Sequence, residues 1–372
     1  MDKIKNKLAE NKIDAALVSS VPNIIYLTGY SGFSYFEREA FLLISKNKSY
    51  LITDGRYSEA VSNIILSSPK YELLEITSQN TIDKIFEKLS ARIKKVGIEE
   101  NDITVAENRR LKKYFKTKPL KDLQTLRVIK DQSEISKIEK ACKIGDKAFD
   151  FILKKLKAGV TEKQIAFELE MFIKKTGSDP SFPSIVAFGK NSSMPHHITS
   201  NSKLITHNPI LLDFGVRFDN YCSDMTRTVF FGKADDKFKK IYQTVLNAQE
   251  KAINLLNNKC HSERSEESRS FGLLPQDDIK ASDVDKVARS HIIDHGFPTI
   301  PHSVGHGIGI EVHEPPSLSP TSQVDLKSGM VFSIEPGIYL PGYGGVRIED
   351  LVVLEKSKLK LLTHSPKQII EI

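Results

Sequence analysis

The 372 residues suit two domains rather than one, at roughly 100–200 residues each. With 40% hydrophobic and 27% charged residues, the composition is that of a globular chain with a sizeable core, which excludes collagen, coiled coil and wholesale disorder. Lys+Arg (54) exceed Asp+Glu (47) by only 7; this thin excess predicts no nucleic-acid partner, and no run approaches the ~18–20 apolar residues of a membrane span.

The opening MDKIKNKLAE carries charges where a signal peptide needs an apolar run. Three scattered cysteines (Cys142, Cys222, Cys260) show neither CxxC spacing nor a disulfide framework, so a cytoplasmic protein is expected. Residues 15–20 read as a strand, and 40–45 with 49–54 as a hairpin. Residues 56–66, 81–93 and 106–115 read as amphipathic helices, with a short strand at 71–76. This predicts a small α/β domain over residues 1–128. Its basic run from Arg109 to Lys121 reads as a solvated helix face.

The polar segment 123–136 marks the junction to a second domain, 129–372. A long helix is expected from Ser133, with Ile135, Ile138, Cys142, Gly145, Phe149 and Ile152 three or four apart. Thr161 and Gln164 form a capping-box pattern for a second helix through Lys175. Strands are expected over 183–189, 209–216, 221–231, 330–340 and 345–354, with two helices near 237–257 and 283–295. The class is therefore α+β, with mostly antiparallel strands. The Ser-rich, mixed-charge stretch 260–279 reads as an inserted loop.

The chemistry is concentrated in acids and histidines of the last 180 residues. If Asp219-Asn220 is a two-residue hairpin turn, Asp213 faces residue 226, and Asp224 is its diagonal neighbour on the same face. Glu335 and Glu349 are symmetric about Gly342, so a hairpin centred there makes them cross-strand partners. Four buried carboxylates either lie apart or are held by cations, because like charges brought together repel. A carboxylate-rich set with one imidazole, His306, suits Mn²⁺, with Zn²⁺, Fe²⁺ or Co²⁺ as alternatives. His291 and His295, at i, i+4 on a helix, read as packing residues without a third ligand. Cys222 shares parity with Asp224 and reads as a small packing residue.

Together, Asp213 and Asp224, HSVGHGIGIEVHE (302–314), SIEPG (333–337) and GVRIED (345–350) resemble the metallopeptidases of the pita-bread fold. That group includes Xaa-Pro aminopeptidases, prolidases, methionine aminopeptidases and creatinases. TDGRY (53–57) is similar to the leading, creatinase-type domain of the Xaa-Pro members. The resemblance implies two divalent ions, with Asp213 on one, His306 and Glu335 on the other, Asp224 and Glu349 bridging, and a water between them as nucleophile. It further implies that Glu335 is the general acid/base and that His313 steadies the tetrahedral intermediate. His197 would lie near the scissile nitrogen, with His196 a bystander, and His302 and Arg347 would support ligands or substrate. Arg347 in RIED argues against methionine aminopeptidase. The expectation is hydrolysis of Xaa-Pro bonds in proline-containing peptides, with the aminopeptidase favoured over the dipeptidase (prolidase). A homodimer is the family's usual assembly. A non-catalytic binding module is the alternative class, and the complete ligand set argues against it.

Overall fold

The computed structural model describes residues 2–67, 70–120, 123–262, 279–356 and 358–372. The chain divides into two compact units, residues 1–127 and 128–372.

The first unit runs α1 (Asp2–Asn11), β1 (Ala15–Val18), α2 (Val21–Thr28), β2 (Ala40–Ser45), β3 (Ser49–Asp54), α3 (Ser58–Ser67), β4 (Glu72–Ile76), α4 (Ile82–Ser90), β5 (Lys95–Ile98), α5 (Val105–Leu111) and β6 (Lys116–Pro119). Its sheet has the order β4-β3-β2-β1-β5-β6. Side chains alternate along a strand, and helices cover both faces, so the central strands are apolar on both sides. Ala16, Val18, Leu42, Ile44 and Leu51 pack into one core, while Ala15, Leu17, Phe41, Leu43 and Ile52 pack into the other. The strand expected over 15–20 stops at Val18 because Pro22, in the first turn of α2, commits the chain to a helix.

The second unit opens with α6 (Gln132–Leu153) and α7 (Glu162–Lys175). Asp131 with Glu134 and Thr161 with Gln164 form capping boxes at their starts. Strands β7 (Asp179–Pro180), β8 (Ile185–Phe188), β9 (Asn208–Phe214), β10 (Val216–Phe218), β11 (Tyr221–Cys222) and β12 (Met225–Phe231) follow. Next come α8 (Asp236–Ser262) and α9 (Ala281–Asp294), then β13 (Gly305–Gly307), β14 (Glu314–Leu318), β15 (Val331–Ile334), β16 (Gly337–Leu340), β17 (Gly344–Arg347), β18 (Asp350–Leu354) and β19 (Leu359–Leu361). Among the described residues every ladder between these strands is antiparallel, and a lone parallel bridge joins Phe230 to Glu371. It has two halves: α6 and α7 share a core with β8, β9 and β12, and α8 and α9 share another with β15–β18. The expected insertion opens inside α8, which continues to Ser262, and residues 263–278 lie outside the described residues. Among the described residues no helix is long and apolar enough to cross a membrane.

The expected strand 209–216 splits at Gly215 into β9 and β10, and three further expected strands are interrupted. Residues 221–231 break at Ser223-Asp224, 330–340 at Glu335-Pro336, and 345–354 at Ile348-Glu349. Of these three, only 330–340 keeps its apolar alternation through the break; the other two carry the adjacent polar pairs Ser223-Asp224 and Glu349-Asp350. Each of the three breaks contains one acid of the candidate set.

Candidate metal centre

Both hairpins have the expected registers, but Asp224, Glu335 and Glu349 fall in gaps between ladders rather than within them. Asp219 and Asn220 take left-handed φ values of 47° and 72°, the two-residue turn that matches strand twist. Phe218 then pairs with Tyr221 and Asp213 with Thr226. The second hairpin is centred on Gly342: Gly337 pairs with Arg347 and Val331 with Val353. Glu335 and Glu349 occupy matching positions in the gap between these two ladders. His306 enters from β13, flanked by two glycines. A Cβ at 305 would sit 2.0 Å from Ser333 O, and one at 307 would sit 2.3 Å from Pro315 O, so only glycine lets β13 fit between β14 and β15.

Ligand atoms of Asp224, His306 and Glu349 all lie within 4.8 Å of one another. His306 Nε2 is 3.6 Å from Asp224 Oδ2 and 3.3 Å from Glu335 Oε1. Asp213 lines the same cavity, of about 750 Å³, and accepts a hydrogen bond from Arg347 Nη2. Arg347 also donates from Nε to Thr226 Oγ1 (3.0 Å), and Thr226 in turn donates to Glu349 Oε2 (2.7 Å). Arg347 and Thr226 therefore connect acids from both halves of the unit.

Burial drives Asp224 and Glu349 well above the usual carboxylate range, and neighbouring acids push both further. Burial raises Glu335 as well, against the pull of His302 and Arg347. Burial lowers His302, His306 and His313, so their imidazoles stay neutral. Asp224 Oδ1 and Glu349 Oε1 are buried with no hydrogen-bond partner among the described residues. Buried polar atoms are normally satisfied, and two orphaned carboxylate oxygens beside a neutral imidazole are the donor set that a hard or borderline divalent cation completes.

The other expected residues separate into two groups. His302 and His313 line the cavity; His313 packs against His306 with ring centroids 4.3 Å apart, and His302 Nε2 meets Tyr339 Oη at 2.8 Å. His197 does not line it. Its Nε2 lies 2.8 Å from Oε2 of Glu162, a fully buried acid at the start of α7, while His196 faces the cavity in its place. The reading of His196 as a bystander is reversed, because the buried Glu162 carboxylate draws the second of the two imidazoles away. Tyr339 was not anticipated; it bridges His302 and Arg347, and its only sequence signal is its place on the hairpin two residues after Gly337. Cys222 is buried, with its Sγ 3.4 Å from Ile310 O, and packs as expected. His291 is buried, and its carbonyl meets His295 Nδ1 at 2.7 Å.

Acids and an imidazole converging from two halves of an α+β frame define a metal-dependent hydrolase. Residues 136–356 match the sequence profile of metallopeptidase family M24, and residues 1–130 match the creatinase/prolidase N-terminal domain. The chain belongs to family M24: it is a metallopeptidase of the dinuclear type, with a creatinase-type leading domain and a pita-bread domain. It is similar to a solved Xaa-Pro dipeptidase from Bacillus anthracis, with 33% identity, a TM-score of 0.87, and 100% and 98% of the two chains covered. The curated Xaa-Pro dipeptidase of Pyrococcus horikoshii is 32% identical, over 99% of this chain and 97% of that protein. The solved X-Pro aminopeptidase of Thermotoga maritima is 31% identical, with a TM-score of 0.83 and coverage of 100% and 99%.

Proposed function

We propose that this chain is an Mn²⁺-dependent Xaa-Pro dipeptidase. The observation that carries the reading is the joint cluster of Asp224, His306 and Glu349, with two orphaned oxygens, in the cavity walled by His196, His302 and His313. The proteins named Xaa-Pro dipeptidase are slightly more similar to the chain than the X-Pro aminopeptidase (33% and 32% identity against 31%), which moves the preference from the aminopeptidase to the dipeptidase.

Asp213, Asp224, His306, Glu335 and Glu349 would hold two divalent ions, which supply Lewis-acid charge that polarises the scissile carbonyl and acidifies water. The remaining work falls to the chain's own groups. Glu335, raised by burial, takes the attacking water's proton and passes it to the leaving nitrogen. That transfer is required because proline's own ring nitrogen must be protonated to leave as a secondary amine. His313, kept neutral, donates a hydrogen bond to the oxygen on which charge develops. Arg347 fixes Asp213, and His196 contacts the substrate from the cavity wall.

The test is turnover of Ala-Pro, Ala-Pro-Ala and Met-Ala-Ser by the purified protein with Mn²⁺. The dipeptidase reading predicts that Ala-Pro is cut fastest. Cleavage of Ala-Pro-Ala alone would establish the aminopeptidase instead, the reading favoured by the likeness to the Thermotoga maritima enzyme. Cleavage of Met-Ala-Ser alone would overturn both.

A further inference from the structure

Helix α8 buries Val245, Ala248, Ala252 and Leu256, all fully inaccessible, against the sheet that carries Glu335 and Glu349. Gln249 lies on the same buried stripe and is also fully inaccessible. A polar amide at an apolar stripe position carries a desolvation cost unless its hydrogen bonds offset it. The Gln249 Nε2 group meets Ile334 O at 3.1 Å, Ile348 O at 3.3 Å and Asp350 Oδ2 at 3.1 Å. Those three acceptors frame the two acids: Ile334 precedes Glu335, while Ile348 and Asp350 flank Glu349. The orientation is fixed, since turning the amide over would set its oxygen against three oxygens. The Oε1 atom has no partner, so the donor side alone accounts for the residue.

The backbone needs such a tie at this point. The outer ladder ends at Ile334 with Asp350, and the inner one starts at Gly337 with Arg347. Between them, among the described residues, the backbone bond from Ile348 N to Pro336 O, at 3.4 Å, alone joins the two segments. We infer that Gln249 is a positioning residue for the metal centre: one buried amide clamps the open segment of the hairpin and sets Glu335 and Glu349 at the spacing that holds the ions. This inference rests on the metal-binding reading above.

The test is calorimetric titration of Mn²⁺ into the EDTA-stripped, dialysed full-length chain. Wild type is compared with Gln249→Met, which keeps the bulk without the donors, and with Val245→Ala, which loosens the same helix face one turn away. Partners behind metal ligands typically change affinity roughly 10–100-fold, and Gln249→Met is expected to weaken Mn²⁺ by that factor. Val245→Ala should lower the melting temperature yet bind Mn²⁺ like wild type. Equal affinity for wild type and folded Gln249→Met would overturn the inference alone, as would an equal loss in Val245→Ala. If Gln249→Met does not fold, Gln249→Asn, which keeps a buried amide but shortens its reach so that it cannot span all three acceptors, is read in the same way. Wild type that takes up no Mn²⁺ would overturn the metal reading and this inference with it.

Discussion

Two buried carboxylates, one in each unit, contrast in how their oxygens are satisfied. Glu99, in the first unit, accepts hydrogen bonds from Ser19 N, Ser20 N, Ser20 Oγ and Asn23 Nδ2. Glu349, in the second, is more deeply buried, at 2% exposure against 8% for Glu99, and keeps one oxygen with no partner. Asp350, next to Glu349, is satisfied too: burial pushes it up, but Arg227 and Lys367 pull it below the usual range, and Thr363 and Gln249 complete its bonds. A satisfied buried acid serves the fold. An unsatisfied one beside others of the same charge costs stability until a cation arrives, and so it marks function.

The largest effect that would break this contrast belongs to Asp224. Asp224→Ala removes a member of the cluster and should reduce peptide turnover to background while the far-UV circular dichroism spectrum stays native; retained turnover would refute the cluster's role. Arg347→Lys comes next. Lysine cannot reach Asp213, Thr226 and Tyr339 together, so kcat should fall roughly 10–100-fold.

Legibility in the sequence follows the same division. The Asp213–Thr226 register could be read from a two-residue turn, and the symmetry about Gly342 from counting, because both depend on strand periodicity. The break at Glu335 was hidden because the apolar alternation continues through it, whereas those at Asp224 and Glu349 left a signal in the polar pairs Ser223-Asp224 and Glu349-Asp350. His196 was passed over for His197 because the competing acid, Glu162, lies 35 residues away along the chain. Gln249 was legible in principle as a polar residue on an apolar stripe, yet its partners are set by tertiary packing alone.

A pH experiment sharpens the contrast further. Asp224, Glu335 and Glu349 all sit above their ordinary values, so the metal-free fold binds more protons than the unfolded chain once pH exceeds about 4. This contribution is harmless below that point, and stability is lost as pH rises through the raised values. The three lowered imidazoles are neutral in the fold with or without metal, so they drop out of the metal increment, and Mn²⁺ should raise the melting temperature of EDTA-treated protein more at about pH 8 than at about pH 6. Equal Mn²⁺ increments at both would count against the burial argument. The smallest effect belongs to Glu99→Gln, which turns a donor toward donors. It should cost about 1–3 kcal/mol in denaturant unfolding and leave kcat unchanged.

The most direct test of the central claim is to add Mn²⁺ stepwise to metal-stripped protein while following Ala-Pro cleavage and bound metal together. Turnover should be absent at first and rise to its plateau as two ions per chain are taken up. Full cleavage by the stripped protein, or uptake of no Mn²⁺, would contradict it.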